Sequence, residues 1–575
     1  MTRTPWGSVA AGAALVLATI GCGARGAGSP EAPASSASTA GSSTRGSRPP
    51  APTGALPLTR AERTSYRETS SQADVVAFID SLQRLGAPLW VGTLGTTVEG
   101  RDIPYVVASR PLVTTPSQAR RLGRPVLFIQ GNIHSGEVEG KEALQMVLRD
   151  LLFADRPNAL DSVVLIAVPN YNADGNERLA PQGRARGSQQ GPEMVGTRAN
   201  ASGLNLNRDY MKAETPETRG AIAIFNEWDP DLFVDLHTSN GSYHGYALTY
   251  APPLNPASFP IGGAYTRDSL LPVIRSRMRS RHGFETFDYG NFNRPDTTGR
   301  WATYEHVPRF GTNYYGLRGR LSILSEAYSH DPFDRRVAST YAFVQEILSI
   351  IAERAPRVIA LSRSADQMVT AWGRSPASAP PVPVRAVFAP PFRADVLVED
   401  VERRQGDTTR YEAGTPPGTR RTGNFRAVRM SVIDRFAGER ARPMPAAYVL
   451  DAFQSDAVDL LRMHGIVVQQ LDAPLRTDAE LFVADSVVTA NQQFEGHRIV
   501  RLEGRWRTEQ RTFPAGAYLI STAQPLGVLA MYLLEPESDD GLVAWNLFDW
   551  MLRPGSQAPI VRLPGPVAAA ATIVR

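Results

Sequence analysis

The sequence predicts an α/β fold: a mainly parallel, mixed sheet with helices on both faces, followed by a smaller β-rich C-terminal domain. Three observations carry that expectation. Between residues 58 and 375, short apolar runs alternate with segments of helical spacing, the pattern of strands joined by crossover helices. Several runs are apolar at every position, as in strands covered on both faces. Beyond a proline- and alanine-rich stretch at 375–391, the runs become short, β-branched and aromatic, with turn residues between them.

The chain has 575 residues, more than one hydrophobic core supports, so more than one domain is expected. Arg3 and the apolar stretch 9–20 have the form of an export signal and are too short for a membrane helix. Residues 1–22 are therefore expected to be a signal peptide, and the protein to be exported: periplasmic, membrane-anchored or secreted. Leu17-Ala18-Thr19-Ile20-Gly21-Cys22 resembles a bacterial lipobox, so Cys22 is either lipidated as a membrane anchor or discarded with the signal. It is the only cysteine, which leaves the remainder of the chain without a disulfide. Residues 23–57 are Ser, Ala, Gly, Pro and Thr with little apolar content, and predict a disordered linker. The net charge of +4 is small for this length and comes from dispersed arginines. No basic cluster marks a nucleic-acid partner.

Structure is expected from residue 58. Val75, Val76, Phe78, Ile79, Leu82 and Leu85 recur at helical spacing and predict a helix over 71–85. Strands are expected at 89–94, 103–108 and 125–130, then a helix at 138–152 and a buried strand at 163–168. A helix at 217–228, a strand at 232–236, a helix at 263–280 and the apolar run 321–324 complete a catalytic-sized domain over 58–375. Residues 390–575, with strands near 394–398, 447–450 and 517–521 and a helix at 456–464, form the expected β-rich accessory domain of unknown function.

In sheets of this kind, ligands bind outside the carboxyl ends of the strands. The strand at 125–130 ends in Gly131-Asn132-Ile133-His134-Ser135-Gly136-Glu137, and a helix starts directly after. A His and a Glu three apart at such a corner can turn toward one point. Catalytic zinc commonly takes His, His and Glu and leaves one position open. The strand at 231–236 ends in His237, so His134, Glu137 and His237 are the expected metal ligands, with Glu139 and Glu142 as competitors.

These residues resemble the zinc carboxypeptidase family, the carboxypeptidase A-like metallopeptidases, whose motif is a His-x-x-Glu pair and a distant His. Thr96-Thr97-Val98-Glu99-Gly100-Arg101 is similar to the family's early turn, and Pro169-Asn170-Tyr171-Asn172-Ala173-Asp174-Gly175 to its Asn-Pro-Asp-Gly segment. Arg198 and Gly203-Leu204-Asn205-Leu206-Asn207-Arg208 resemble the arginine and the Asn-Arg pair that handle substrate. The resemblance covers about residues 58–354.

It implies one zinc ion and a peptide or protein substrate with a free C-terminal carboxylate. Arg208 with Asn207 would bind that carboxylate, because a planar guanidinium matches it with two charge-assisted hydrogen bonds. Arg198 would face the developing oxyanion. Glu326, at the end of the apolar run 321–324, would be the general base. The tyrosine that closes over substrate in this family would be Tyr304, Tyr314 or Tyr315, and Asn313 would line the specificity pocket. Two departures stand out. Ser135-Gly136 replaces an arginine between the ligands, and Asn205 replaces an aspartate that orients a zinc histidine.

The expected function is thus zinc-dependent removal of C-terminal residues from peptides. Alternatives are a deacylase of the aspartoacylase kind, suggested by Gly131-Asn132-Ile133-His134 and Asp235-Leu236-His237, a carboxypeptidase of cell-wall peptides, and an inactive binding protein.

Overall fold

The computed structural model describes residues 55–239, 241–411 and 415–574. The expected signal peptide, Cys22 and residues 23–54 of the expected linker lie outside the described residues. Eight strands build the main sheet: β1 (Leu89–Thr96), β2 (Asp102–Ala108), β3 (Val126–Gly131), β4 (Val164–Val168), β5 (Leu232–Thr238), β6 (Leu248–Ala251), β7 (Thr286–Asp288) and β8 (Leu321–Ala327). Their order is β1-β2-β4-β3-β5-β8-β6-β7. The central strands β4, β3, β5 and β8 pair in parallel. Antiparallel pairings of β1 with β2, β2 with β4 and β8 with β6 flank them. The fold class is the one expected, a mainly parallel mixed sheet.

Period-two alternation sends successive side chains to opposite faces. Phe128, Ile166 and Phe233 join one hydrophobic cluster. Leu127, Ile129, Leu165, Val234 and Ile323 join the other, against the helices Glu139–Leu152 and Phe333–Glu353. Both faces are buried, which is why these strands read as mainly apolar runs.

Helices Gln72–Arg84, Glu139–Leu152 and Pro216–Trp228 stand where the periodicity puts them. The helix expected at 263–280 is interrupted: Pro260–Tyr265 passes through a π-helical turn, Thr266–Leu270, into Leu271–His282. Pro272 at the start of that last segment lacks the amide proton an unbroken helix would use there. Two long helices, Phe333–Glu353 and Ala355–Arg374, are additional to the expected elements, as are the short strands β6 and β7.

The C-terminal part is rich in strands and adds two helices, Ser455–Met463 and Gly527–Leu534. A seven-stranded sheet contains a long antiparallel hairpin, Leu475–Thr489 with Val500–Phe513. A four-stranded sheet joins Asn291–Phe292 and Arg300–Ala302 to Phe392–Arg403 and Thr419–Ile433. In it, Arg300 to Ala302 pair in parallel with Ser431 to Ile433. One hydrophobic cluster runs from Phe233, Tyr210 and Tyr314 to Tyr448, Ile520 and Leu529. Tyr314 Oη meets His464 Nδ1 at 2.7 Å on that boundary.

Candidate metal centre

β3 ends at Gly131, and the chain leaves it through Asn132 with φ of 65°, a left-handed conformation that asparagine tolerates better than most residues. A tight turn follows, closed by Glu137 N–H donating to the His134 carbonyl at 2.8 Å. The turn swings residues 134 and 137 to the same side. The helix beginning at Glu139 then crosses the sheet edge at very close range. A Cβ on Gly140 would sit 2.7 Å from Leu236 Cβ, so only glycine lets the helix pass β5 there. That packing sets Glu137 beside His237, one hundred residues later and the next-to-last residue of β5.

The three side chains converge. Glu137 Oε1 lies 3.1 Å from His134 Nδ1, and Glu137 Oε2 lies 2.8 Å from His237 Nδ1. One donor atom from each residue falls within 4.8 Å of the others, and all three residues are buried. Each imidazole is held from behind by its other nitrogen. His134 Nε2 is 2.9 Å from Asn205 Oδ1, and His237 Nε2 is 2.9 Å from Asp235 Oδ2. Both Nδ1 atoms are thereby aimed at the carboxylate, the arrangement in which outer polar partners orient histidine ligands for a metal. The donor set, two imidazoles and one carboxylate, fits zinc. Glu139 accepts from Thr238 Oγ1 and pairs with Arg336 at 3.4 Å, while Glu142 accepts from Ser70. Neither competing carboxylate belongs to the convergent group.

Charge is compensated within the site. Arg186 Nη1 donates to Glu137 Oε1 at 2.8 Å, and its Nη2 donates to the Thr238 carbonyl at 2.9 Å. Arg198 Nη1 lies 3.1 Å from both Glu137 Oε1 and His134 Nδ1. Burial, joined by the Arg198 charge, lowers the His134 imidazole to about 3, so it is neutral and Nδ1 offers a lone pair. Burial also opposes a proton on His237, but the Asp235 carboxylate outweighs it and raises that imidazole. Glu326 sits beside His237 across the β5–β8 pairing. Burial, with the nearby Glu137 carboxylate, pushes it up to about 8 despite His237.

A cavity of about 370 Å³ opens from this group and is lined by Arg198, Asn207, Arg208, Tyr304 and Glu326 as well as the three convergent residues. Arg208 stacks over the Phe310 ring at 3.8 Å. Burial, followed by repulsion from Arg198, pulls its guanidinium down to about 10, and it stays charged at neutral pH. Asn207 Oδ1 accepts from Gly311 N–H at 2.9 Å. Tyr304 Oη pairs with Thr312 Oγ1 at 3.1 Å, and burial pushes its phenol up.

Three expected substrate residues are not brought to the cavity. Tyr314 and Tyr315 lie on the helix Gly311–Leu317, which turns them into the core, where Tyr315 stacks on Phe225 and Tyr314 meets His464. Asn313 spends its amide on the loops around it, accepting from Leu254 N–H and donating to the Glu305 and Val307 carbonyls. Conversely, Arg186, Tyr289 and Phe494 belong to the site without having been singled out from sequence. Arg186 stands in an arginine-rich loop with no motif, and Phe494 comes from the far C-terminal hairpin.

A buried His-Glu-His set beside a polar cavity, at the carboxyl edge of a mainly parallel sheet, is the kind of site found in mononuclear metallohydrolases. The model of the zinc carboxypeptidase family matches residues 75–260. The match spans about a third of the chain and makes that segment similar to a zinc carboxypeptidase domain. The match contains His134, Glu137 and His237, whereas Glu326 lies beyond it. No curated protein matches the chain in sequence. Among solved structures, the chain is similar to a metallo-carboxypeptidase from Burkholderia cenocepacia, with 21% identity over 50% of this chain and 70% of that one and a TM-score of 0.38. It is also similar to a metallo-carboxypeptidase from Pseudomonas aeruginosa in complex with (2-guanidinoethylmercapto)succinic acid, with 22% identity over 51% and 70% and a TM-score of 0.35. For carboxypeptidase A from Helicoverpa armigera the values are 15%, 51%, 74% and 0.37.

Proposed function

We propose that the protein hydrolyses the C-terminal peptide bond of peptides, using one zinc ion held by His134 Nδ1, Glu137 and His237 Nδ1. The observation that carries this reading is the convergence of two outward-braced Nδ1 atoms and a carboxylate on a cavity also lined by Arg198, Arg208 and Glu326. The chemistry a zinc ion supplies there is Lewis acidity toward the scissile carbonyl and toward water.

The remaining work belongs to the chain. Arg208, rigidified by its stacking on Phe310, binds the substrate's terminal carboxylate, with Asn207 beside it. Arg198, whose side chain is 41% exposed, faces the oxygen on which negative charge develops. Glu326 takes the proton of the attacking water on its carboxylate and passes it to the leaving amine. A raised proton affinity suits that base role once a cation nearby draws it back toward neutrality. Tyr304 keeps its proton and can donate to the bound peptide.

The test is bound zinc per chain together with release of C-terminal amino acids from a peptide library, run beside N-acyl amino acids. One zinc per chain with release from free-acid peptides supports the reading. Fully zinc-loaded protein that releases no C-terminal residue, or cleaves only N-acyl amino acids, overturns it.

A further inference from the structure

The cavity beside the metal centre has a wall that comes from outside the zinc carboxypeptidase domain. Residues 490–499 join the two arms of the C-terminal hairpin, and its tip is a two-residue turn in which Phe494 and His497 exchange backbone hydrogen bonds of 2.7 and 3.0 Å. The central residues, Glu495 and Gly496, have φ of 48° and 85°, as a tight hairpin turn of this kind requires. Glycine is at ease there, but glutamate is not, since a side chain in the left-handed region costs energy. The glutamate has a partner that explains its place: Glu495 Oε2 accepts from Asn205 N–H at 2.8 Å. Asn205 is also the residue whose side chain holds His134 from behind.

The turn is fixed from its other side as well. His497 Nε2 lies 2.7 Å from Glu214 Oε1, and its Nδ1 lies 3.0 Å from Asn546 Oδ1. The Arg309 guanidinium, paired with Asp540 at 2.8 Å, covers the Phe494 ring at 5.3 Å and the Trp545 ring at 4.9 Å. So anchored, Phe494 still keeps 37% of its surface exposed and lines the cavity that holds His134, Glu137 and His237. An aromatic ring held rigidly at a cavity wall and left partly bare is a contact surface for an apolar group of the ligand.

We propose that Phe494 is a substrate-contacting residue that selects for peptides carrying an apolar side chain beside the scissile bond. The proposal rests on the peptidase reading above but not on the residues of the family match, which ends at 260. It assigns part of the substrate cleft to the C-terminal region.

The test uses the full chain with Glu326→Gln, so that binding is read without turnover. Two N-acyl dipeptides with free carboxylates, one containing phenylalanine and one with glycine in its place, are titrated by calorimetry. Replacing Phe494 with Ala in that background is expected to lower the Phe-over-Gly preference in Kd roughly tenfold, the scale on which an apolar pocket discriminates. Phe494→Leu should keep most of the preference, which separates loss of contact from loss of fold. A preference unchanged in Phe494→Ala, or both peptides weakened in parallel, overturns the assignment. Failure of the parent Glu326→Gln protein to bind either peptide overturns the peptidase reading itself, and this proposal with it.

Discussion

His134, Glu137, His237 and Glu326 reach the cavity from the ends of β3, β5 and β8 or from the corner directly after one, whereas Tyr304, Phe310 and Phe494 reach it from loops and a hairpin turn. The first group is positioned by parallel backbone pairing, and each imidazole in it has a polar partner at its second nitrogen, Asn205 for His134 and Asp235 and Asn207 for His237. The second group is positioned by aromatic and cationic contacts, such as Arg208 over Phe310 and Arg309 over Phe494. Strand ends fix atoms closely, as ligand geometry and proton transfer demand, while loop-borne rings supply area and shape. On the proposed function, chemistry would belong to one wall and selectivity to the other.

Damage to the strand-end wall should produce the largest effects. His237→Ala is expected to lose stoichiometric zinc and with it peptidase activity, while keeping its secondary structure. Glu326→Gln should keep its zinc yet lose about 10²–10⁴-fold in kcat, the usual scale of general-base catalysis. Metal content and kcat measured on both variants check this. Zinc retained in His237→Ala, or normal kcat in Glu326→Gln, would break the division at its stronger side.

The difference between the walls also explains what could be read from sequence. The strand-end residues announce themselves, because an all-apolar run followed by a polar corner marks both the strand and the edge to which it delivers its last side chain. Val126 to Ile129, before the His134 corner, is such a run, while His237 and Glu326 follow mainly apolar runs broken by Asp235 and by Ser322 and Ser325. The loop-borne residues carry no local signal. Phe494 lies 360 positions from His134 and meets its cavity only because a hairpin folds back, and Arg186 is one arginine among many in the chain. Tyr314 and Tyr315 have the right residue type, but the helix Gly311–Leu317 gives them to the core, where Phe225 and His464 wait for them. Sequence spacing cannot tell the inner face of so short a helix from its outer face. The helix Phe333–Glu353 did leave a mark, with Val337, Phe343, Val344, Ile347, Leu348 and Ile351 at helical spacing and buried.

The junction between the C-terminal region and the catalytic sheet is expected to be acid-sensitive. His464 accepts from Tyr314 Oη through Nδ1 and donates from Nε2 to the Met211 carbonyl at 3.1 Å. Burial lowers this imidazole to about 4, with a smaller push from Arg318. A depressed folded pKa contributes stability that is full above the unfolded value near 6.5 and is lost as the pH falls through the folded one. The loss between pH 6.5 and 4 is on the order of 3 kcal/mol, converting the shift at 1.36 kcal/mol per unit. His244 and His330, lowered by burial to about 3 and about 4, add to the slope. The thermal midpoint should therefore drop on acidification in this window. His464→Gln should flatten that drop only in part, and an unchanged slope would show that His464 is not held neutral.

Arg208 bridges the two kinds of wall, since its guanidinium is charged and its support is the Phe310 ring. Arg208→Ala should weaken binding of peptides with a free terminal carboxylate by about 1.5–3 kcal/mol, the scale of a hydrogen bond to a charged group. Peptides capped as C-terminal amides should be affected much less. Equal losses for acids and amides in kcat/KM would show that Arg208 does not read the carboxylate.

The smallest effect expected is also the one that probes where the walls meet. Asn205 accepts from His134 Nε2 through its side chain and donates its backbone N–H to Glu495 in the hairpin turn. Asn205→Ala removes the first contact together with the Asn205 Oδ1 cap on Asn207 N–H, 3.0 Å long, and should lower zinc affinity about 10–100-fold, as loss of an outer partner of a ligating histidine does. Asn205→Asp restores an acceptor and adds charge, so it should bind zinc at least as tightly as the natural protein. Competition with a chelator reads both affinities without any turnover. Glu495→Ala removes the second contact alone, and on the division argued above it should leave zinc affinity nearly unchanged while loosening the Phe494 preference. If Glu495→Ala instead weakens zinc as much as Asn205→Ala, the hairpin is part of the ligand scaffold and the two walls act as one.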